Sequence, residues 1–504
     1  MTDTIVLAVV WPILAAVVSL LAGVRWERSG WPVAAVACAV ELALALAVLL
    51  TVVRQGRTPY ELGGFAPPAG IELVADGLSA PVIVLVAAVS LAVLAYARRA
   101  GPRGNAFYTV YLLLVGGLAG VTLTGDIFNM YVFLEITGLA AYALVASGDE
   151  TRSAVAALKY LMLGTIGASL FLLGAGYAFV ATGTLNMVDL AERFAEVGYT
   201  SRLVLAAFGL LVTGLLVKVA LFPVHSWQPD AYTYAPDSVS ALISALVSTV
   251  SAYAVGRVLF TVFTVDFFAA VPVAQDALVY AAAVSIVAGS VLAVLQSELK
   301  RMLAYSSVSQ FGMIVAAFAL LSPTSAVGGV IHLLGHAVLK GGLFAAAGIV
   351  ALQTGARTID EYAGLATRRP VSAGLVAVLG LALVGVPPAV GFVGKWYIAL
   401  GAVRSGTPVV AAVILVSTLL TLAYFARVIE RMYFAQPAPG TAGPDVAATD
   451  GGESADATVG SDSPVSPAMI AVVVLAAVAA VALGFAGTAV EATLEPTLSE
   501  VFAP

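Results

Sequence analysis

Glu135, Lys218, Lys340 and Lys395 each fall inside a separate long apolar stretch of the chain. Charge in such surroundings is costly, and ionisable residues that persist there mark ion or proton routes. Glu135 comes eight residues into its stretch, about 12 Å deep at the rise of an α-helix. Lys218 is its natural partner. A carboxylate beside the lysine keeps the ammonium charged, and separation of the two lets the proton go, so a pair that opens and closes loads and releases one proton. A second set has helical spacing: His332, His336 and Lys340 recur at i, i+4 and i+8, which puts all three on one helical face. Histidine is the side chain best suited to relaying protons near neutral pH; the structural alternative is a packed polar seam between helices. No cysteine or carboxylate stands with them at zinc spacing, so no metal site is expected. Lys395 extends the series toward one membrane face. Lys159, two turns inside its stretch, has the reach to snorkel to the interface. Glu41 is mid-stretch with no evident partner, and His225 with Asp230 reads as part of a polar connector near the route.

These groups need elements to hold them. With 61% hydrophobic and 10% charged residues over 504 positions, the chain cannot cover itself with a polar surface, and apolar stretches of spanning length recur throughout. Hydropathy and loop punctuation place fourteen spans, at about 4–22, 31–53, 77–97, 106–123, 127–146, 153–181, 203–222, 237–262, 273–296, 303–321, 326–352, 373–402, 408–430 and 466–487. The first follows Asp3 rather than a basic segment, so it is read as a span and not as a secretory signal. Span seven is interrupted at Pro223 just after Lys218. Span twelve is broken by Gly385, Pro387 and Pro388 and resumes through Gly391, Gly394 and Lys395. Paired broken helices in two halves point to an inverted-repeat transporter with a hydrated interior. Loops on alternate sides carry thirteen and six basic residues; the richer side is predicted to be cytoplasmic, leaving both termini outside a cell membrane crossed many times. Residues 436–464 have the composition of an acidic, disordered linker. The single cysteine, Cys38, excludes a disulfide framework and a Cys-built metal or iron–sulfur site, and no glycine fingerprint or haem motif is present, so no cofactor is expected.

Four runs carry a resemblance: Gly-Asp-Ile-Phe-Asn-Met-Tyr-Val-Phe-Leu-Glu (125–135), Phe-Pro-Val-His-Ser-Trp-Gln-Pro-Asp-Ala-Tyr-Thr-Tyr-Ala-Pro (222–236), Leu-Lys-Arg-Met-Leu-Ala-Tyr-Ser-Ser-Val-Ser-Gln (299–310) and His-Ala-Val-Leu-Lys-Gly-Gly-Leu-Phe (336–344). Over about residues 70–435 the chain resembles the proton-conducting antiporter-like subunits, a family that includes Mrp-type Na+/H+ antiporter subunits and the antiporter-like subunits of respiratory complex I and membrane-bound hydrogenases. Within it, Lys395 and the run Phe-Asn-Met-Tyr-Val-Phe are most similar to the D-type subunits of Mrp antiporters. The resemblance implies an all-α polytopic membrane fold of about 14 transmembrane helices, with two inverted five-helix repeats and broken helices 7 and 12. The implied organisation is helices 1–3 over 1–105, a first repeat over 106–262, a second over 273–435, the linker, and a last helix and tail over 465–504. It also implies that Glu135, Lys218, His336, Lys340 and Lys395 form a central proton route, to which the residue-level reading adds His332. The family's usual lysine in the eighth helix is replaced here by Thr249, which holds a water but not the proton. The expected function is proton translocation in a multisubunit Na+/H+ antiporter, a transporter subunit rather than an enzyme. The alternative is a proton-pumping membrane-arm subunit of a complex I-type or hydrogenase complex. Expected partners are other membrane subunits, H+, Na+ and the lipid bilayer, with no nucleic acid.

Overall fold

The computed structural model describes residues 3–436 and 465–502; the expected linker lies, from residue 437 on, outside them. The chain begins with α1 (Asp3–Arg25) and α2 (Gly30–Gln55), followed by a short hairpin of β1 (Thr58–Glu61) and β2 (Glu72–Ala75), antiparallel with Thr58 opposite Ala75. Next come α3 (Ser79–Ala100), α4 (Asn105–Leu123), α5 (Ile127–Ala146), α6 (Thr151–Thr182), α7 (Met187–Val197), α8 (Arg202–Val219) and α9 (Trp227–Tyr234). α10 (Asp237–Arg257) continues through a π-helical turn (Val258–Phe263) into α11 (Thr264–Ala270). The remainder is α12 (Pro272–Val294), α13 (Leu299–Ala319), α14 (Pro323–Thr354), α15 (Leu365–Arg368), α16 (Pro370–Val384), α17 (Val390–Arg404), α18 (Pro408–Tyr433), α19 (Pro467–Phe485) and α20 (Gly487–Val501).

Local chemistry explains the boundaries. Asp126 caps α5 by accepting the Asn129 N–H at 2.7 Å, and Asn186 caps α7 through the Val188 and Asp189 N–H groups. Proline occupies the first turn of α12, α14, α16, α18 and α19, where its missing N–H is not needed. Thirteen helical stretches among the described residues are long and apolar enough to cross a membrane. The half-helices α16 and α17 together make the fourteenth crossing. The molecule is therefore an all-α polytopic membrane protein, as expected.

α10, α13 and α14 form the centre: their spanning windows are 100%, 94% and 94% buried, against 22% for α19. The outer helices turn apolar side chains outward, as a lipid-facing shell requires. Bridges between loops fix the two ends of the bundle. Glu298 meets Thr358 at the end carrying the basic loops, and Leu73 meets Thr124 and Asp126 meets Asn186 at the other. Three features depart from the sequence reading. Span seven stops at Val219 rather than 222, because Ala220 adopts a left-handed conformation (φ 65°) ahead of the proline. The tail after α19 is helical, as α20. The hairpin and α7 are short polar elements that hydropathy does not register.

Candidate functional site

Lys218 leaves the last turn of a half-helix, one residue before α8 ends. Unpaired carbonyls there present partial negative charge that favours a cation. Its Nζ donates to Glu135 Oε1 on α5 at 3.0 Å and lies 3.5 Å from Tyr142 Oη. The lysine side chain is 7% exposed and the glutamate 24%, so one partner is sealed in the bundle and the other stands at its edge. Glycine makes the room: a Cβ on Gly138 would lie 2.9 Å from Tyr142 Oη and 3.2 Å from Lys218 Nζ. The pair can trade one proton between an ion pair and a neutral acid and amine, and removal of Glu135 strands Lys218 inside the protein.

A second cluster lies on α14 and its neighbours. His332 Nε2 is 2.8 Å from Gln310 Oε1 on α13, an arrangement that puts the ring proton on Nε2. Lys340 Nζ donates to the Leu303 carbonyl at 2.7 Å and to Ser306 Oγ. Leu303, Ser306 and Gln310 follow one another at helical spacing, so one face of α13 serves one face of α14. His336 sits between, its ring edge-on to Phe311 at 4.5 Å, with no hydrogen-bond partner for either nitrogen among the described residues. Lys395 Nζ donates to the carbonyls of Leu383 and Val384 at 3.0 and 2.9 Å. Those residues end α16, so this lysine bridges the break it follows and takes up the carbonyls that the break frees. Gly394 lets α17 press against α14; a Cβ there would lie 2.8 Å from His332 Cα. Lys395 is within electrostatic reach of both His332 and Lys340.

The sequence pattern of the family described as "NADH:quinone oxidoreductase/Mrp antiporter, TM" matches residues 124–421. This chain belongs to that family. The match takes in all six predicted site residues and leaves α1–α4, α19 and α20 outside. The chain is 45% identical over 414 residues to the N subunit of the NADH-quinone oxidoreductase of Desulforudis audaxviator, covering 81% of this chain and 82% of the relative. It is 31% identical over 404 residues to the D-type subunit of the Na(+)/H(+) antiporter of Bacillus subtilis, covering 79% and 81%. Among solved structures, it resembles a chain of the Mrp complex from Dietzia sp. DQ12-45-1b with a TM-score of 0.88 and 25% identity, over 100% of this chain and 98% of that one. The chain is thus an antiporter-like subunit of the Mrp or complex I membrane-arm type.

Within this family member the predicted row of titratable groups falls into two clusters. Between them lies a polar knot in which Gln228 Nε2 meets Tyr232 Oη at 3.1 Å and Ser248 Oγ at 3.2 Å, the two oxygens being 3.0 Å apart. No side-chain hydrogen bond among the described residues joins Lys218 to that knot. The Thr249 hydroxyl is fully buried, again without a partner among the described residues. Lys159 pairs with Asp230 at 2.7 Å, and Asp230 also takes Arg301 at 3.0 Å. The His225 ring packs between Phe222 and Tyr305. Glu41 is fully buried, and neither carboxylate oxygen has a partner among the described residues. No group of three or more His, Cys, Asp or Glu residues that could hold a metal occurs among the described residues. Sequence reasoning passed over Tyr142, Ser306 and Gln310. Tyr142 lies seven residues beyond Glu135 and so on its helical face, and Ser306 and Gln310 are polar residues inside an apolar span; those were the available signals.

Proposed function

We propose that this chain is the proton-translocating subunit of a multisubunit membrane complex, and that Glu135, Lys218, His332, His336, Lys340 and Lys395 carry the proton. The observation that supports this most directly is the 3.0 Å Glu135–Lys218 pair at the end of a broken helix. It is a charge pair whose lysine is buried and whose glutamate stands at the edge of the bundle, at the end of the half-helix α8. The two breaks support a division into repeats over 106–262 and 273–435, each with a lysine at its break, behind the three N-terminal helices. The excess of basic residues on one set of loops supports a cytoplasmic position for that face, with both termini outside.

Two hosts fit. Exchange against Na+ in an Mrp-type antiporter is supported by the likeness to the Bacillus subtilis antiporter subunit. A redox-driven membrane arm is supported by the higher identity, 45% against 31%, to a quinone oxidoreductase subunit. In vesicles holding the intact complex, proton movement is measured after an imposed Na+ gradient and, separately, after addition of electron donor and quinone. The stimulus that moves protons identifies the host. Lys218→Gln is expected to abolish that movement while the complex still assembles. Unimpaired movement in the assembled variant refutes the proton route.

A further inference from the structure

α10 is the most deeply buried helix of the molecule and ends at a cavity on each side. At the face carrying the basic loops, Asp237 pairs with Lys300 at 3.0 Å on the wall of a cavity of about 560 Å³. At the opposite face, Arg257 grips Asp76 with two bonds, Nη1 to Oδ2 at 2.5 Å and Nη2 to Oδ1 at 2.8 Å. Tyr253 Oη accepts from Arg257 Nε and Nη2 at 3.0 and 2.8 Å and donates to the Thr122 carbonyl at 2.7 Å. Asp76 and Arg257 also line a second cavity, of about 360 Å³, together with Glu192, Asp266 and Glu500.

Thr249, Tyr253 and Arg257 recur every four residues and so share one helical face. The innermost of them carries a hydroxyl that no described residue engages, and ordered water is one partner that satisfies buried polar groups of this kind. Directly beyond Arg257 the helix relaxes into the π-helical turn, which ends at Thr264 with φ 57°. A β-branched residue in that conformation stores strain, and π-helical turns recur at functional positions. The pieces are a polar stripe with an unpartnered hydroxyl at its inner end, a bidentate ion pair across its outer end, an acidic cavity beyond, and a deformable turn beside it.

We propose that the Arg257–Asp76 pair is a gate between the outer cavity and a water path along α10 that reaches Thr249. It opens when the guanidinium leaves Asp76 for the carboxylates of the cavity, Glu192, Asp266 or Glu500, with the π-helical turn absorbing the shift. What crosses is water and the proton it carries. Breaking a buried ion pair without a substitute partner is strongly unfavourable, so the acidic cavity makes the exchange feasible. The inference rests on the proton-translocating reading above, yet its test reads water access rather than proton flux.

In the intact complex, with Cys38→Ser as background, Thr261→Cys and Thr249→Cys are each exposed to a membrane-impermeant cationic thiol reagent added from the outer-cavity side. Thr261 lines the cavity, and its cysteine is expected to label in every background. Thr249→Cys is expected to be protected while the pair is intact and to label at least tenfold faster in the double variant Arg257→Gln/Asp76→Asn, which removes both charges at once. Protection of Thr249→Cys in the assembled double variant overturns the gate, as does rapid labelling with the pair intact and the complex at rest. Should the double variant not assemble, labelling of Thr249→Cys with the native pair is compared at rest and under the stimulus that drives proton movement. A tenfold rise supports the gate, and an unchanged rate overturns it. Failure of the Lys218→Gln experiment leaves these labelling results untouched, so the two readings fail separately.

Discussion

The three buried lysines of the candidate route are held in three ways, and the differences set what each can do. Lys218 has a carboxylate, Lys340 a carbonyl and a hydroxyl, and Lys395 the two carbonyls at the end of α16. Only Lys218 has a full counter-charge, so only there does loss or gain of a proton switch an ion pair on or off. Lys340 depends on dipoles, and Ser306→Ala removes one of its two ligands. Side-chain hydrogen bonds inside membrane proteins are worth about 0.6–2 kcal/mol, so the variant is expected to assemble and to move protons several-fold more slowly in vesicles. Unchanged proton movement would show that Ser306 does not position Lys340. The loop at the basic face offers a pH test. Glu361 accepts the Thr358 and Arg357 backbone N–H groups at 2.9 and 2.8 Å, and these bonds hold its carboxyl below the usual carboxylate range. The folded value lies below the unfolded one, so this contribution is present above the unfolded value and is lost as pH falls through the folded value. Amide hydrogen exchange at Arg357 and Thr358, corrected for the intrinsic pH dependence, is expected to lose protection over that acidic interval, and Glu361→Gln is expected to lack the step. The charged residues were legible in the sequence because charge in an apolar run stands out. The pairing of Glu135 with Lys218 was legible as well, but the partners of Lys340 and Lys395 were not, since a carbonyl such as that of Leu383 is the same in every residue.

At the scale of elements, the two broken spans do the positioning. Proline and glycine revealed both breaks in the sequence, but the turn in span seven is made by Ala220, whose left-handed backbone nothing in its residue type announces. The break in span twelve depends on close approach. A Cβ on Gly391 would lie 2.1 Å from the Ala382 carbonyl oxygen, a backbone atom that no side-chain rotation can move aside. Gly391→Ala is therefore expected to drive α17 from α16, costing about 1–3 kcal/mol as overpacking does, and to disturb the Lys395 contacts as well. The check is a lower thermal midpoint of the detergent-solubilised complex together with slower proton movement. A variant that keeps both would mean the half-helices tolerate a wider crossing than the structure shows. Span count and order were readable because fourteen apolar runs with polar punctuation leave little choice. The inward order of the helices was not, since α10, with six serines and threonines, is less apolar than the outer helices yet lies at the centre.

For the whole molecule, that inversion follows from the solvent: lipid takes the most apolar helices, and the hydroxyl-bearing ones pack inside where they find partners. It leaves the end opposite the basic loops in need of closure, and α20 runs across it. Thr497 Oγ1 accepts the Gly77 N–H at 3.0 Å, Phe502 packs on Phe260 with ring centroids 5.8 Å apart, and Tyr397 donates to Glu491 at 3.3 Å. Gly77 is required at the crossing, because a Cβ there would lie 2.2 Å from the Thr493 carbonyl oxygen. The one helix thus touches the loop before α3, the π-helical turn and α17, ties the ends of both proposed repeats together, and forms part of the outer cavity wall. Its buried leucines, Leu494 and Leu498, are worth about 1.5–3 kcal/mol each as an upper figure. Deleting residues 487–504 is expected to lower the thermal midpoint of the assembled complex and to speed labelling of Thr261→Cys, because the cavity loses Thr497, Glu500 and Val501 from its wall. If stability drops while the labelling rate stays the same, α20 is a brace and not a cover. If neither changes, the contacts with Gly77 and Phe260 carry no weight in the assembled complex.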